Sequence, residues 1–134
     1  MGAILAPGAP GGTRTGRPVP TRATYPDVMF PPQVPSVQVT DLDPAAPVPA
    51  GTVLLDVREH DEWDAGHAPD AVHIPLGDLP DRVGELDPEA RLLVVCHSGG
   101  RSARATAWLV QGGLDAVNVD GGMVDWARAG LPVV

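Results

Sequence analysis

The chain has 134 residues, a length that suits one domain, and a formal net charge of −8 built from nine arginines, no lysine and seventeen acids. So acidic a surface repels phosphate backbones, which argues against nucleic acid as a partner, and no apolar run is long enough to span a bilayer. The single cysteine excludes an internal disulfide framework, a CxxC redox pair and a multi-cysteine zinc site, so a reducing cytoplasm is the simplest home.

Residues 1–35 hold eight prolines and five glycines but few large apolar side chains. Such a segment cannot bury enough surface to offset its ordering entropy, so a disordered tail is expected there and a folded domain over 36–134. Arg14, Arg17 and Arg22 lie in this tail ahead of every acid, the first of which is Asp27. Three scattered arginines usually do no more than solvate a chain. "AILA" near the start lacks the basic and apolar regions of an export signal, and Met29 is an alternative point for translation to begin.

The domain begins with "SVQVT" (36–40), which alternates like a short strand. "TVLLDV" (52–57) is a continuous apolar run, and "REHDEWDAG" (58–66) reads as a short acidic helix ending near Gly66. "AVHIPL" (71–76) predicts a brief strand, and "LPDRVGEL" (79–86) a short helix with Leu79, Val83 and Leu86 at helical spacing. "RLLVV" (91–95) is a second continuous run, followed by the turn that holds Cys96. "SARATAWLVQGG" (102–113), rich in alanine and stopped by two glycines, is the strongest helix. "AVNV" (116–119), the turn "DGG" (120–122), a helix through "MVDWARAG" and "LPVV" complete the chain.

Strands apolar on both faces, interleaved with helices, predict an α/β fold: a central parallel sheet with helices on both faces. In such folds ligands bind where strand carboxyl ends meet helix N-termini, and Cys96 stands at that junction. A turn entering a helix leaves backbone N–H groups unpaired, and Gly99 and Gly100 let them converge. The helix end adds about half a positive charge and Arg101 a full one nearby. All three effects favour thiolate over thiol, which makes Cys96 the candidate nucleophile.

"CHSGGRS" (96–102) resembles the active-site loop of the rhodanese family of sulfurtransferases, written C-x-x-G-x-R-S. "LLDVREHDEWDAGHAPDAVHIPL" and "VNVDGGMVDWARAGLPV" resemble that family's opening and closing segments, so the likeness spans about residues 36–134. Two departures stand out: Asp70 precedes Ala71 where glycine is usual, and Ala68 replaces the usual isoleucine. The resemblance implies a rhodanese-like fold and a persulfide mechanism without cofactor. Cys96 would take sulfur from a small-molecule donor such as thiosulfate and pass it to a thiol, to cyanide, or to a sulfur-accepting protein. With no second thiol in the chain, the sulfur must leave to an external acceptor.

The resemblance further implies that backbone groups of His97, Ser98, Gly99, Gly100 and Arg101 cradle the terminal sulfur. Ser98 and Ser102 are candidate hydroxyl donors to it, and Ser102 is equally a candidate helix N-cap. Arg104 faces either the donor or solvent. Asp56, ending a core strand, needs partners and is expected to support the loop, with Arg58 in a structural ion pair or at an anion-contacting rim. His60, His67, His73 and His97 match no compact ligand motif, so no metal is expected. Phosphatases of this fold place five residues between cysteine and arginine, whereas four stand here, which disfavours phosphate chemistry. The alternative from another class is a non-catalytic or sulfur-carrier module that docks on a partner protein.

Overall fold

The computed structural model describes residues 33–134. All but the last three residues of the expected tail, with Met29 and the three N-terminal arginines, therefore lie outside the described residues.

Five strands form one parallel sheet in the order β1-β5-β4-β2-β3. They are β1 (Ser36–Gln38), β2 (Thr52–Asp56), β3 (Val72–His73), β4 (Arg91–Val95) and β5 (Ala116–Asp120). Between them run α1 (His60–Asp64), α2 (Leu79–Arg82), α3 (Gly100–Gln111) and the terminal α4 (Gly122–Arg128). Parallel pairing forces each connection to cross over the sheet, and the crossovers cover both faces.

Side-chain alternation explains why the strand runs are apolar throughout. Leu92, Val94 and Cys96 point to the face that carries Leu79, Ala105, Trp108 and Leu109. Leu93 and Val95 point to the other, against Met123, Trp126 and Leu131. Each face is thus filled by one fully buried tryptophan, Trp108 on one side and Trp126 on the other. Truncating either to alanine would cost about 3–5 kcal/mol. The same parity puts Asn118 of β5, paired with Val94, on the Cys96 side of the sheet.

Some elements are shorter than their sequence pattern. The strand expected over 36–40 stops at Gln38, where Val39–Asp41 turns into a 3₁₀ turn closed by the Gln38 N–H on the Asp41 carboxylate at 2.9 Å. The run 71–76 is a ladder strand only at Val72–His73, because Pro75 has no N–H to donate. α2 covers only Leu79–Arg82 and continues as a 3₁₀ turn, Val83–Glu85, that still buries Leu86.

The most consequential shift is at α3, which begins at Gly100 rather than 102. Gly99 is its N-cap at φ 111°, a backbone conformation natural to glycine, and its carbonyl accepts the first helical bond, from Ala103 N–H at 3.0 Å. Ser102 is therefore inside the first turn and is not the N-cap. Among the described residues, the non-glycine with positive φ is Asp70, at 66°, the position where the sequence departs from the usual glycine. No helix among the described residues is long and apolar enough to cross a membrane.

Candidate active site

β4 ends at Val95 and α3 starts at Gly100, so the connection is only four residues long. Cys96 continues the inward parity of β4 and is only 1% exposed, while His97 and Ser98 bulge into solvent. The chain then returns through Gly99, and three donors meet the Cys96 sulfur: Gly99 N–H at 3.1 Å, Ser102 N–H at 3.3 Å and the Ser102 hydroxyl at 3.3 Å. The Ser102 amide is one of the free N–H groups of the first helical turn, so the sulfur stands where a capping oxygen would usually sit. Behind it lies a helix of 12 residues whose dipole favours negative charge at this end. The amides that reach Sγ are thus those of Gly99 and Ser102.

The opposite wall of the turn is fixed by α4. Met123 N–H donates to the Cys96 carbonyl at 2.8 Å and Val124 N–H to the His97 carbonyl at 3.0 Å. Gly122, at φ 56°, permits this approach, since a Cβ there would overlap the Cys96 carbonyl oxygen. The sequence segment "DGG" is therefore a packing surface as well as a turn.

Arg101 does not point a free charge at the sulfur. Its two terminal nitrogens bind both carboxylate oxygens of Glu62 on α1, at 2.7 and 2.9 Å. The Arg101 hydrogen bond, helped by the Glu59 N–H, holds the Glu62 carboxyl down to about 2 against the opposing effect of burial. Arg101 itself is pushed further up, chiefly by the same hydrogen bond. Glu62 thus neutralises much of its charge, though Arg101 still interacts electrostatically with Cys96, and the backbone donors touch Sγ directly at 3.1 and 3.3 Å.

Asp56 and Arg58 form a buried pair of their own. Both Asp56 oxygens accept from the Arg58 side chain at 2.9–3.0 Å, and Oδ1 also accepts the Arg58 backbone N–H at 3.0 Å. Arg58 Nη2 reaches on to the Gly66 carbonyl at 2.8 Å, tying the start of α1 to the turn after it. The hydrogen bonds of the Asp56 carboxylate go to Arg58, and its place in β2 sets it against Val95, the residue before Cys96. Arg104 is half-buried on α3. Trp63 is stacked between the His67 and His73 rings, at centroid distances of 3.6 and 4.6 Å.

Beside the turn lies a groove of about 300 Å³ lined by Arg58, Glu62, Gly66, His97, Met123 and Val124. A larger one, about 450 Å³, opens among Pro47, Val48, Leu54, Val72 and Trp126, and none of its lining belongs to the Cys96 turn.

Three residues of this site escape sequence reasoning. Glu62 reads as one acid among several on an acidic helix. Gly122 reads as a turn residue. Asn118 left a usable signal, an amide inside an apolar strand, which implies a buried polar partner. That partner is Ser102, whose hydroxyl lies 2.5 Å from Asn118 Oδ1.

Residues 44–129 match the family described as Rhodanese-like domain. The chain belongs to that family. The rhodanese-like domain is similar to a sulfurtransferase of Allochromatium vinosum, 40% identical over 83 residues that make up 61% of this chain and 78% of that protein. It is also similar to the thiosulfate sulfurtransferase GlpE of Pseudomonas syringae pv. syringae, 42% identical over 77 residues, or 57% of this chain and 73% of that one. Among solved structures, a rhodanese-related protein from Thermoplasma volcanium superposes with a TM-score of 0.68 at 34% identity, covering 75% of this chain and 97% of that one. The rhodanese-like α/β fold expected from the sequence is thus the observed one.

Proposed function

We propose that the domain is a cytoplasmic sulfurtransferase that works through a persulfide on Cys96. The reading is carried by one observation: two backbone N–H groups and a hydroxyl converge on the sulfur of the only cysteine, at the N-terminus of the longest described helix. Such donors stabilise a sulfur anion, and the two backbone N–H groups are already in place before reaction. The names of the relatives support the same class.

In the first half-reaction the Cys96 thiolate attacks the outer sulfur of a sulfane donor such as thiosulfate. The new Sγ–S bond forms as the donor's S–S bond breaks, and sulfite leaves with the electron pair. The charge moves from Sγ to the terminal sulfur, and in this reading the backbone N–H groups of the turn His97–Arg101 hold it. In the second half-reaction an acceptor thiolate, or cyanide, attacks that terminal sulfur and Cys96 leaves as thiolate. No redox partner is needed, because the sulfane sulfur passes on at constant overall oxidation level.

The test is intact-mass measurement after exposure to thiosulfate. One added sulfur atom, removed again by a small thiol and absent in Cys96→Ala, is the expected result. Thiocyanate formation on adding cyanide then marks turnover. A persulfide that forms and does not turn over with small acceptors would favour a sulfur carrier for a protein partner. A protein that takes up no sulfur would overturn the assignment.

A further inference from the structure

We propose that Asn118 is a positioning residue that governs where the Ser102 hydroxyl hydrogen points, and so favours the sulfur-loaded cysteine over the free thiolate. The proposal rests on the reading of Cys96 as the group that carries sulfur.

The Ser102 hydroxyl has one hydrogen and three acceptors in reach: Asn118 Oδ1 at 2.5 Å, the Gly99 carbonyl at 3.2 Å and Cys96 Sγ at 3.3 Å. The shortest contact is the one to Asn118, and it leaves a Ser102 lone pair facing the sulfur. Asn118 cannot turn its amide to release that contact. Its Nδ2 donates to Asp120 Oδ1 at 3.1 Å and to the Gly99 carbonyl at 3.4 Å, so a flip would set Oδ1 against a carboxylate. Asp120 is held in turn by Gln38 Nε2 on its other oxygen at 3.0 Å. Ser102 and Asn118 are 0% and 2% exposed, so solvent does not substitute for either partner. A chain of hydrogen bonds therefore runs from the edge strand β1 through β5 to the nucleophile.

Three states of the sulfur use this chain differently. As a thiol, Sγ–H donates to the Ser102 oxygen, which passes its own hydrogen to Asn118. As a thiolate, Sγ needs donors, and the Ser102 hydrogen must leave Asn118 to serve it. Once loaded, Sγ is an uncharged bridging sulfur and a poor acceptor, and the charged terminal sulfur lies beyond it, so the hydrogen returns to Asn118. Ser102 then does not serve as the donor to the terminal sulfur that its residue type suggested. Asn118 therefore opposes the thiolate alone. Loading is the balanced displacement given above, with no proton entering or leaving, so the whole bias acts on the equilibrium between free thiolate and persulfide. The charged and titratable groups around Cys96 and Asn118 are Asp120 on Asn118, Arg101 on Glu62, Arg58 on Asp56 and the exposed His97 next in the chain.

Asn118→Leu removes both ends of the amide at similar volume without changing charge. In the full chain, thiolate ultraviolet absorbance followed across pH reports Cys96 alone, after subtraction of Cys96→Ala. Asn118→Leu should lower the pH midpoint of thiolate appearance by about half to one pH unit, the scale of one neutral hydrogen bond. Ser102→Ala should raise it, and the double variant should match Ser102→Ala, because the 2.5 Å contact of Asn118 to that hydroxyl outweighs its 3.4 Å contact to the Gly99 carbonyl. Intact mass at a fixed ratio of thiosulfate to sulfite should show the persulfide-to-free ratio falling about three- to tenfold in Asn118→Leu. Circular dichroism checks folding, and Asn118→Ala, with the same expected direction, replaces the leucine variant if that one does not fold. An unchanged or raised midpoint, or a shift that persists in the Ser102→Ala background, would overturn the proposal. If the wild type takes up no sulfur, the functional reading fails, and the titration still decides the role of Asn118.

Discussion

Gly122→Ala probes the packing of α4 on the cysteine turn. The added Cβ would overlap the Cys96 carbonyl oxygen and stand 2.5 Å from the His97 oxygen and 2.7 Å from the His97 carbonyl carbon. These are backbone atoms, which cannot swing aside as a side-chain tip can. Relief requires α4 to move off the turn, weakening the Met123 and Val124 amide bonds to Cys96 and His97, each worth about 1 kcal/mol. The residue must also hold φ 56°, which costs an L-residue about 1–2 kcal/mol. Together these effects predict a loss of about 3–4 kcal/mol, a large share of the roughly 5–15 kcal/mol that holds a domain of this size. In thermal unfolding this corresponds to a fall in Tm of about 12–30 °C. Gly130→Ala is the internal control: φ is 76° there but nothing lies within 4 Å of the added Cβ, so it isolates the backbone term. Urea denaturation of the two variants, with persulfide loading of the survivors, gives the comparison. Should Gly122→Ala cost no more than Gly130→Ala, the close-approach argument is wrong.

Glu62→Gln tests the Arg101 pair through pH. The Glu62 carboxyl is held at about 2 against 4.5, so its stabilisation is fully present above about pH 4.5 and is lost as pH falls toward 2. The partners are 28% and 35% exposed, and solvent screening reduces the effect to about 1 kcal/mol. The variant should therefore be about 1 kcal/mol less stable at neutral pH, with the gap closing near pH 2 in acid-dependent urea titrations. Asp56→Ala leaves the Arg58 guanidinium buried and unpaired and should cost about 3–5 kcal/mol, much of it recovered when Arg58→Leu is added; a fully additive double variant would show that the two residues do not act as a pair. Asp70→Gly should raise stability by about 0.5–1 kcal/mol, because it relieves the 66° φ while giving back some chain entropy; a lower Tm would show that the aspartate is itself stabilising.

Much of this molecule can be read locally. The runs "TVLLDV" and "RLLVV" are apolar at every position because both faces of their strands are covered, and that pattern suffices for a parallel sheet. Cys96 follows such a run and precedes an alanine-rich helix, so its place at a strand end and a helix start follows from chain order. Two glycines in the turn announce a backbone free to converge. The start of α3 was less legible, because Ser102 looks like a cap by residue type while Gly99 takes that position by conformation.

What the chain order leaves open is which distant segments meet. Arg101 pairs with an acid 39 positions away, and the identity of that acid depends on α1 lying over the carboxyl edge of β2 beside β4. Asn118 reaches Ser102 only because β5 lies next to β4 in a register that sets Asn118 against Val94. Gly122 matters only once α4 is seated on the turn. Hydrophobic period and residue propensity act over a few neighbours, so they specify elements and their buried faces. Strand order and register are settled by the simultaneous packing of all elements, and the partners of Cys96, Arg101 and Ser102 are consequences of that packing.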